Sequence, residues 1–418
     1  MSTEQTITPW QVTSKSGINY MKLIDKFGCE PIDGKLIKKF ERITNVKAHT
    51  WLRRGLFFSQ KDLSKILDQY EKGEEIFLYT GRGPTSEAMH LGHMIPFMFT
   101  KYLQDALDAV LVIQLSDDEK FFFKDGELEE YNRLSRENAK DIIACGFNLE
   151  KTFIFSNLET LGGEMYKTAA KIMRATTGNK IKAIYGLNLD NNIGQLVWPC
   201  FQCAPAYSKS FPRIFGDKPI MCLVPMAIDQ DPYFRMARDF GEKKKKYGYL
   251  KPATIHTKFL PALEGIKAKM SSTGTSASIF LTDLEKHIRK KINKYGYSGG
   301  GETLELHRKH GGNLEIDIAF QYLLYFEDDD AKMKQIADDY TSGKLLSGEL
   351  KKIMADVICR FVTLHQSSRK LVTPEIIAKY FNPDRDFDHK QSVRDKLELE
   401  ADEQYLNYGI NFDPLFGN

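Results

Sequence analysis

From Glu75 onward, short apolar runs alternate with amphipathic stretches. "IFLYT" (76–80), "AVLVIQLS" (109–116), "TFIFS" (152–156), "IMCLVPMAID" (220–229) and "ATIHTKFL" (253–260) read as short buried strands. Between them, "MIPFMFTKYLQDAL" (94–107) and "LSRENAKDIIACGF" (134–147) place apolar residues at helical spacing. Strands that alternate with helices predict an α/β fold with a parallel sheet covered on both faces.

The pattern also divides the chain. Residues 1–74 read as an extension before the main sheet, with a hairpin expected around Ser14 to Gly17 and helical patterns after it. Residues 75–283 carry the strand–helix alternation. Within them, about 156–219 is too long for a plain connection and reads as a helical insertion. After "SIFLTD" the strands stop, and 284–381 reads as helical, interrupted by "YGYSGGG" and "KHGGN". Residues 382–418 form a tail expected to return to the strand-bearing region.

Composition adds limits rather than a function. The 418 residues are 42% hydrophobic, and 59 Lys and Arg against 56 Asp and Glu leave a net charge of +3, so any nucleic-acid binding must come from local patches. "MSTEQTITPW" lacks the marks of a signal peptide, and the apolar run "AVLVIQL" is too short to span a bilayer, which predicts a soluble protein with no membrane partner. Six scattered cysteines without a disulfide framework suit a reducing compartment, and the cytoplasm is the expected location.

The chemistry concentrates in "LYTGRGPTSEAMHLGH", Leu78 to His93. A Gly-Pro turn follows a strand, and a helix capped near Thr85 or Ser86 would carry His90, Gly92 and His93 in its first two turns at the carboxyl edge of the sheet. Zinc helices use H-E-x-x-H, with histidines four apart, whereas His90 and His93 are three apart. Packing histidines and phosphate-facing N–H donors at a helix start remain as readings. A second stretch, "KAKMSSTGTSASIFLTD", sets Lys267 and Lys269 in a small-residue loop, the chemistry of a strap closing over a polyanion.

H-x-G-H followed far downstream by K-M-S-x-[ST] resembles the paired signatures of class I aminoacyl-tRNA synthetases. "QLSDDEKFFFKD", "AIDQDPYFRMARD", "YSGGGETLELHRKHGGN", "ENAKDIIACGF" and "DDYTSGKLLSGELKK" narrow the resemblance to the tryptophanyl-tRNA synthetases of eukaryotic and archaeal type, from about Pro9 to Tyr380. It implies a Rossmann catalytic domain, a helical insertion forming a homodimer interface, and an α-helical anticodon-binding domain. The implied reaction consumes tryptophan and ATP, with Mg2+ carried on the phosphates, and charges tRNA(Trp). No protein-coordinated metal is expected.

The resemblance and the chemistry together distribute roles. His90 and His93 donate to phosphate oxygens, Gly92 admits the nucleotide, and Arg82 and Lys269, with Met270 and Ser271 of the strap, hold the leaving pyrophosphate. Thr80, Gly81, Gly83, Asp229 and Gln230 are expected to bind ATP, with Asp229 on the ribose. Tyr79 and Gln114 are the implied indole readers, Glu119 the ammonium partner, and Gln202 and Gln230 lie near the same end. Ser272 stands where the class carries a second strap lysine, a departure shared by the eukaryotic family.

Cys200 and Cys203 in "PCFQC" have C-x-x-C spacing, but without a second pair they read as packing thiols. Lys243 to Lys246 read as a solvated loop or a tRNA backbone contact, and "FEDDDAK" as a helix-start cluster or a base reader. Two other functions stay open: a tyrosine-specific enzyme, which would want a partner for a phenol hydroxyl, and a catalytically silent binding module.

Overall fold

The computed structural model describes residues 5–8, 12–14, 17–270 and 277–390. Eleven strands are found among them: β1 (Gln5–Ile7), β2 (Val12–Ser14), β3 (Glu30–Pro31), β4 (Phe57–Lys61), β5 (Ile76–Arg82), β6 (Val110–Leu115), β7 (Thr152–Ser156), β8 (Met221–Ala227), β9 (Ala253–Thr257), β10 (Pro261–Ala262) and β11 (Gly265–Lys269). All five strands read from the apolar runs are present. They form the parallel part of a seven-stranded sheet of order β3-β4-β9-β8-β5-β6-β7.

The sheet is mixed rather than purely parallel, because β4 joins β9 and β3 joins β4 in antiparallel register. Both come from the segment read as an extension. Their concealment has a physical cause: β4 is buried along its whole length yet ends in Ser-Gln-Lys. Each polar group finds a partner, Ser59 Oγ at 3.0 Å from His256 Nδ1, Gln60 Nε2 at 2.8 Å from Glu30 and Lys61 Nζ at 2.7 Å from Asp231.

The hairpin is also displaced from its expected place. It lies at Gln5–Ser14, with Gln5 facing Ser14 and Ile7 facing Val12, and Ser14 Oγ donates to Gly17 O at 2.5 Å. Strand β2 pairs with β11, so the hairpin completes a four-stranded sheet, β1-β2-β11-β10.

Side chains of the main sheet alternate between two cores, as the two-residue strand period requires. Ile76, Leu78, Leu111 and Ile113 face helices Gly34–Thr44, Leu63–Glu71 and Leu91–Leu107. Phe77, Tyr79, Val110 and Val112 face helices Gly163–Ala175, Ile193–Cys203 and Asp231–Lys244. Residues 157–215 contain helices and no strand among them, and beyond Asp283 six helices run from Glu285 to Phe381. The first core continues into those helices through Ile288, Phe320, Leu324, Met354 and Ile358. Residues 382–390 lie back on the sheet edge: Phe387 packs edge-on against Phe153 and His389 Nδ1 meets Glu75 Oε1 at 2.5 Å.

The N-terminal segment grips the C-terminal helices through Trp51, whose Nε1 donates to Tyr325 O at 2.8 Å, through Arg53, which meets Asp330, and through the buried cation of Arg54. Arg54 donates to Leu324 O at 2.9 Å, to Glu327 O at 2.6 Å and to Asp330 Oδ1 at 2.6 Å. Its removal strands two carbonyls, while Arg53 still holds Asp330, so Arg54→Ala is expected to destabilise the fold by about 3 kcal/mol, measured by urea denaturation.

Candidate functional site

From β5 the chain proceeds outward through β6 to β7, whereas β8 and β9 lie on the other flank of β5. The carboxyl ends of β5 and β8 therefore border a topological switch point, where open α/β sheets bind ligands. A cavity of about 290 Å³ opens there. Tyr79, Thr80, Gly81, Arg82 and Gly83 line it from β5 and its exit turn, and Asp229 and Gln230 from the turn after β8. His90, Gly92, His93, Glu119, Gln202, Lys269 and Met270 complete the predicted set on the wall. Gln114 is buried behind Tyr79 instead, and Ser271 falls outside the described residues.

The helix carrying the histidines begins at Leu91, later than the expected start near Thr85 or Ser86. Backbone pairing holds the preceding residues out of the helix: Leu91 N bonds to Ile279 O at 3.1 Å and Leu281 N to Met89 O at 2.9 Å. These two bonds tie the histidine motif to the far side of the lysine strap. His90 thus becomes the N-cap, and the Nδ1 of His93 accepts from its backbone N–H at 3.3 Å. The imidazoles stack with centroids 3.4 Å apart.

Burial, reinforced by the Arg82 and Lys269 cations, pushes His90 down to about 3 and His93 well below its ordinary value. Both rings are neutral at pH 7. With Nδ1 of His93 accepting, its proton resides on Nε2 as a donor. His90 Nδ1 has no partner among the described residues. A Cβ at Gly92 would stand 3.1 Å from the His90 ring, closer than an ordinary contact, so this glycine makes room for the histidine.

Lys269 ends β11 and Met270 N bonds to Leu260 O at 3.0 Å, which anchors the near side of the strap. The Lys269 ammonium reaches across the cavity to Asp229 Oδ2, while Asp229 Oδ1 is without a partner among the described residues. Arg82 lies with Nε 3.3 Å from Asn138 Oδ1; burial draws its pKa down to about 10, still cationic at neutral pH. Glu119, on helix Asp117–Phe123, receives Lys120 Nζ at 2.7 Å and Ser116 Oγ at 3.3 Å. Gly83 permits this arrangement, since a Cβ there would lie 2.1 Å from Lys120 Cε.

At the amino-acid end, Tyr79 OH donates to Gln114 Oε1 at 2.6 Å and to Gln202 O at 3.0 Å. Trp198 and Phe234 add aromatic walls. Sequence reasoning missed these two and Lys120; Lys120 adjoins the predicted Glu119, but Trp198 and Phe234 sit in helices whose apolar faces look like ordinary core. Cys200 and Cys203 are buried, with burial pushing the Cys200 thiol up to about 12, and Cys203 Sγ donates to Tyr233 O at 3.0 Å. Among the described residues, one cluster brings metal-ligand atoms together, Cys29, Asp231 and His256 within 4.8 Å, but Lys61 already holds Asp231 at 2.7 Å.

A switch-point cavity with a histidine-capped helix on one wall and a lysine strap on the other is the architecture of class I aminoacyl-tRNA synthetases. The chain belongs to the family of class I tRNA synthetases for W and Y, whose model matches residues 71–363. It is 50% identical over 387 residues to the cytoplasmic tryptophan–tRNA ligase of Rattus norvegicus, covering 91% of this chain and 80% of the relative. The cytoplasmic tryptophan–tRNA ligase of Saccharomyces cerevisiae is 47% identical over 408 residues, covering 95% and 92%. Among solved structures, the tryptophanyl-tRNA synthetase of Plasmodium falciparum superposes with a TM-score of 0.81 at 48% identity, covering 88% of this chain and 96% of that one.

The histidine environment makes a pH prediction. His90 in the folded chain sits near 3, below its unfolded value of about 6.5, so between these the unfolded chain binds more protons. Its contribution to stability is complete above about pH 6.5 and declines as the pH falls towards 3. His90→Asn is expected to flatten the fall in unfolding free energy over that interval, read from urea denaturation at a series of pH values.

Proposed function

We propose that this protein activates L-tryptophan with ATP to tryptophanyl-adenylate, releasing pyrophosphate, and transfers the tryptophanyl group to the terminal ribose of tRNA(Trp). The observation that carries this reading is a single cavity with cationic and N–H donors at one end, Lys269, Arg82, His90 and His93, and an aromatic slot with a buried tyrosine hydroxyl at the other. The high identity to cytoplasmic tryptophan–tRNA ligases supports both the substrate and a cytoplasmic location.

In the proposed step the tryptophan carboxylate attacks the α-phosphorus of ATP. A new P–O bond forms as the bond to the bridging oxygen of pyrophosphate breaks, with no covalent enzyme intermediate. The work of the protein is to position and to stabilise charge on the departing group. Lys269 and Arg82 hold that group, His93 donates from Nε2, and His90 from its own N–H. Thr80, Gly81 and Gly83 shape the nucleotide wall beside Met270. Asp229 takes the ribose hydroxyls once Lys269 turns to the phosphates. Glu119 with Gln202 and Gln230 receives the amino-acid head, and Tyr79 backed by Gln114 reads the indole N–H. The cavity carboxylates Asp229 and Glu119 are each engaged by a lysine, so Mg2+ fits as an ion carried by ATP oxygens.

We further assign the helices from Glu285 to Phe381 to anticodon binding, and the helical insertion to a homodimer interface. Its exposed apolar side chains support this: Tyr166 is 52%, Ile193 74% and Leu189 96% exposed.

The test is amino-acid-dependent ATP–pyrophosphate exchange across the standard set. Exchange with tryptophan is expected, and exchange with tyrosine alone would overturn the reading. Lys269→Ala is expected to lower kcat by about 100- to 1,000-fold while the KM for tryptophan changes less than about twofold, because its contact to pyrophosphate strengthens in the transition state.

A further inference from the structure

Behind the aromatic slot runs a chain of buried hydrogen bonds that ends at a carboxylate. Tyr79 OH donates to Gln114 Oε1 at 2.6 Å, Gln114 Nε2 donates to Asn157 Oδ1 at 2.9 Å, and Asn157 Nδ2 donates to Asp118 Oδ1 at 2.8 Å. Tyr79, Gln114, Asn157 and Asp118 are all buried. Every link points the same way, donor to acceptor, from the cavity wall towards Asp118.

We propose that Asp118 and Asn157 are positioning residues that set the hydrogen-bonding polarity of the indole reader. An amide can present either its oxygen or its NH2 group to a neighbour, and a hydroxyl can either donate or accept. Asp118 Oδ1 removes the choice. It already accepts from Glu119 N at 2.8 Å and Trp198 Nε1 at 3.3 Å, so Asn157 must offer it NH2. The oxygen of Asn157 then faces Gln114, whose NH2 is also drawn to Phe201 O at 3.3 Å. Gln114 therefore turns its oxygen to Tyr79, the tyrosine proton is spent on Gln114 and Gln202 O, and the phenol oxygen is left as an acceptor.

The reverse wiring has a definite penalty. Asn157 with its oxygen towards Asp118 would set two acceptors face to face and turn NH2 onto Gln114, which would then press its own NH2 on Tyr79 and abandon Phe201 O. Tyr79 would become the acceptor within the protein and lose that capacity for the substrate. Buried polar groups without partners are costly, so the chain adopts one polarity as a unit. All three donors converge on Oδ1, while Asp118 Oδ2 has no partner among the described residues. An oxygen at the Oδ1 position is thus what the chain requires. The consequence is a site that favours a substrate donating one hydrogen bond at Tyr79 over an isosteric one that does not.

This proposal rests on the reading of Tyr79 as the indole partner, and the experiment separates the two. ATP–pyrophosphate exchange is measured with L-tryptophan and with β-(benzothiophen-3-yl)-alanine, in which sulfur replaces the indole N–H. The unaltered protein is expected to favour tryptophan in kcat/KM by about tenfold or more. Asn157→Leu and Asp118→Leu are expected to lose most of that preference through the tryptophan KM, with kcat little changed. Asp118→Asn, which keeps an oxygen for the three donors, is expected to retain it. Asn157→Ser, too short to bridge Gln114 and Asp118, replaces the leucine variant if that one does not fold. An unchanged preference in a folded Asn157 variant, or its loss in Asp118→Asn, would overturn the proposal. If Tyr79→Phe also leaves the preference intact, the underlying reading of the slot fails; if Tyr79→Phe abolishes it while Asn157→Ser does not, only the polarity chain fails.

Discussion

The whole site hangs on the parting of the chain at β5. Strands β5 and β8 lie side by side, yet the segment leaving β5 goes to β6, and β8 is reached only after β7 and a long run of helices. Their carboxyl ends consequently border a crevice that neither crossover fills. Arg82, Glu119, Asp229 and Lys269 reach that crevice from a strand end or from the stretch just after one, while His90 and His93 reach it from the start of the helix Leu91–Leu107. Arg82 closes β5, Glu119 follows β6, Asp229 follows β8 and Lys269 closes β11. The covering helices bury the strand faces, so the strand ends can carry polar and charged groups without weakening either core.

Within the crevice, the carboxylates Asp229 and Glu119 are each paired with a lysine before any substrate arrives. Lys269 is 32% exposed and spans to Asp229, which is 2% exposed, while Lys120 holds Glu119. Such pairing keeps buried carboxylates from standing uncompensated, the costly situation in a protein interior. It also gives ATP binding the form of an exchange, with phosphate drawing the lysine and ribose taking the released aspartate. Below this layer Asp231, the first residue of the next helix, is held by Lys61, with His256 Nε2 at 3.2 Å beside it, and the polar end of β4 is thereby fastened under the Asp229 turn. A segment without strand-like patterning thus supports the nucleotide end of the cavity.

Hydrophobic periodicity exposed the parallel strands because their buried positions are mostly apolar, with polar exceptions such as Gln114 and His256. It concealed β4, where burial falls on Ser59, Gln60 and Lys61, and it misplaced the start of the His90 helix, which depends on pairing with Ile279 and Leu281 far along the chain. No local signal reports a partner that distant. The site was legible wherever spacing and residue type carry the chemistry, as in His90, His93 and Lys269. It was illegible where a core-like residue turns its ring into the cavity, as Trp198 and Phe234 do. Gln114 shows an intermediate case: its identity drew attention, but its place behind Tyr79 is a matter of depth, which a linear pattern does not encode.

The strap cannot be considered apart from the elements that hold its ends. On the near side, Met270 bonds to Leu260 and Lys269 pairs with Pro261 across the β10–β11 hairpin. On the far side, Leu281 bonds to Met89 through its N–H, while its carbonyl accepts from Gln366 Nε2 at 2.7 Å on the long helix Ser347–Lys370. The same helix sends Arg369 Nε to Asp141 at 2.8 Å, under the Arg82 side of the site. The far anchor is therefore shared by the histidine motif and the C-terminal helices, and the near anchor packs into the same larger core through Leu260, Leu263 and Met270. Lys269 can pass from Asp229 to a phosphate by turning its own side chain, and only a displacement of its backbone would have to be taken up at β10 and β11. Because β11 is paired with β2 at Ala268, the N-terminal hairpin would have to travel with it or let go.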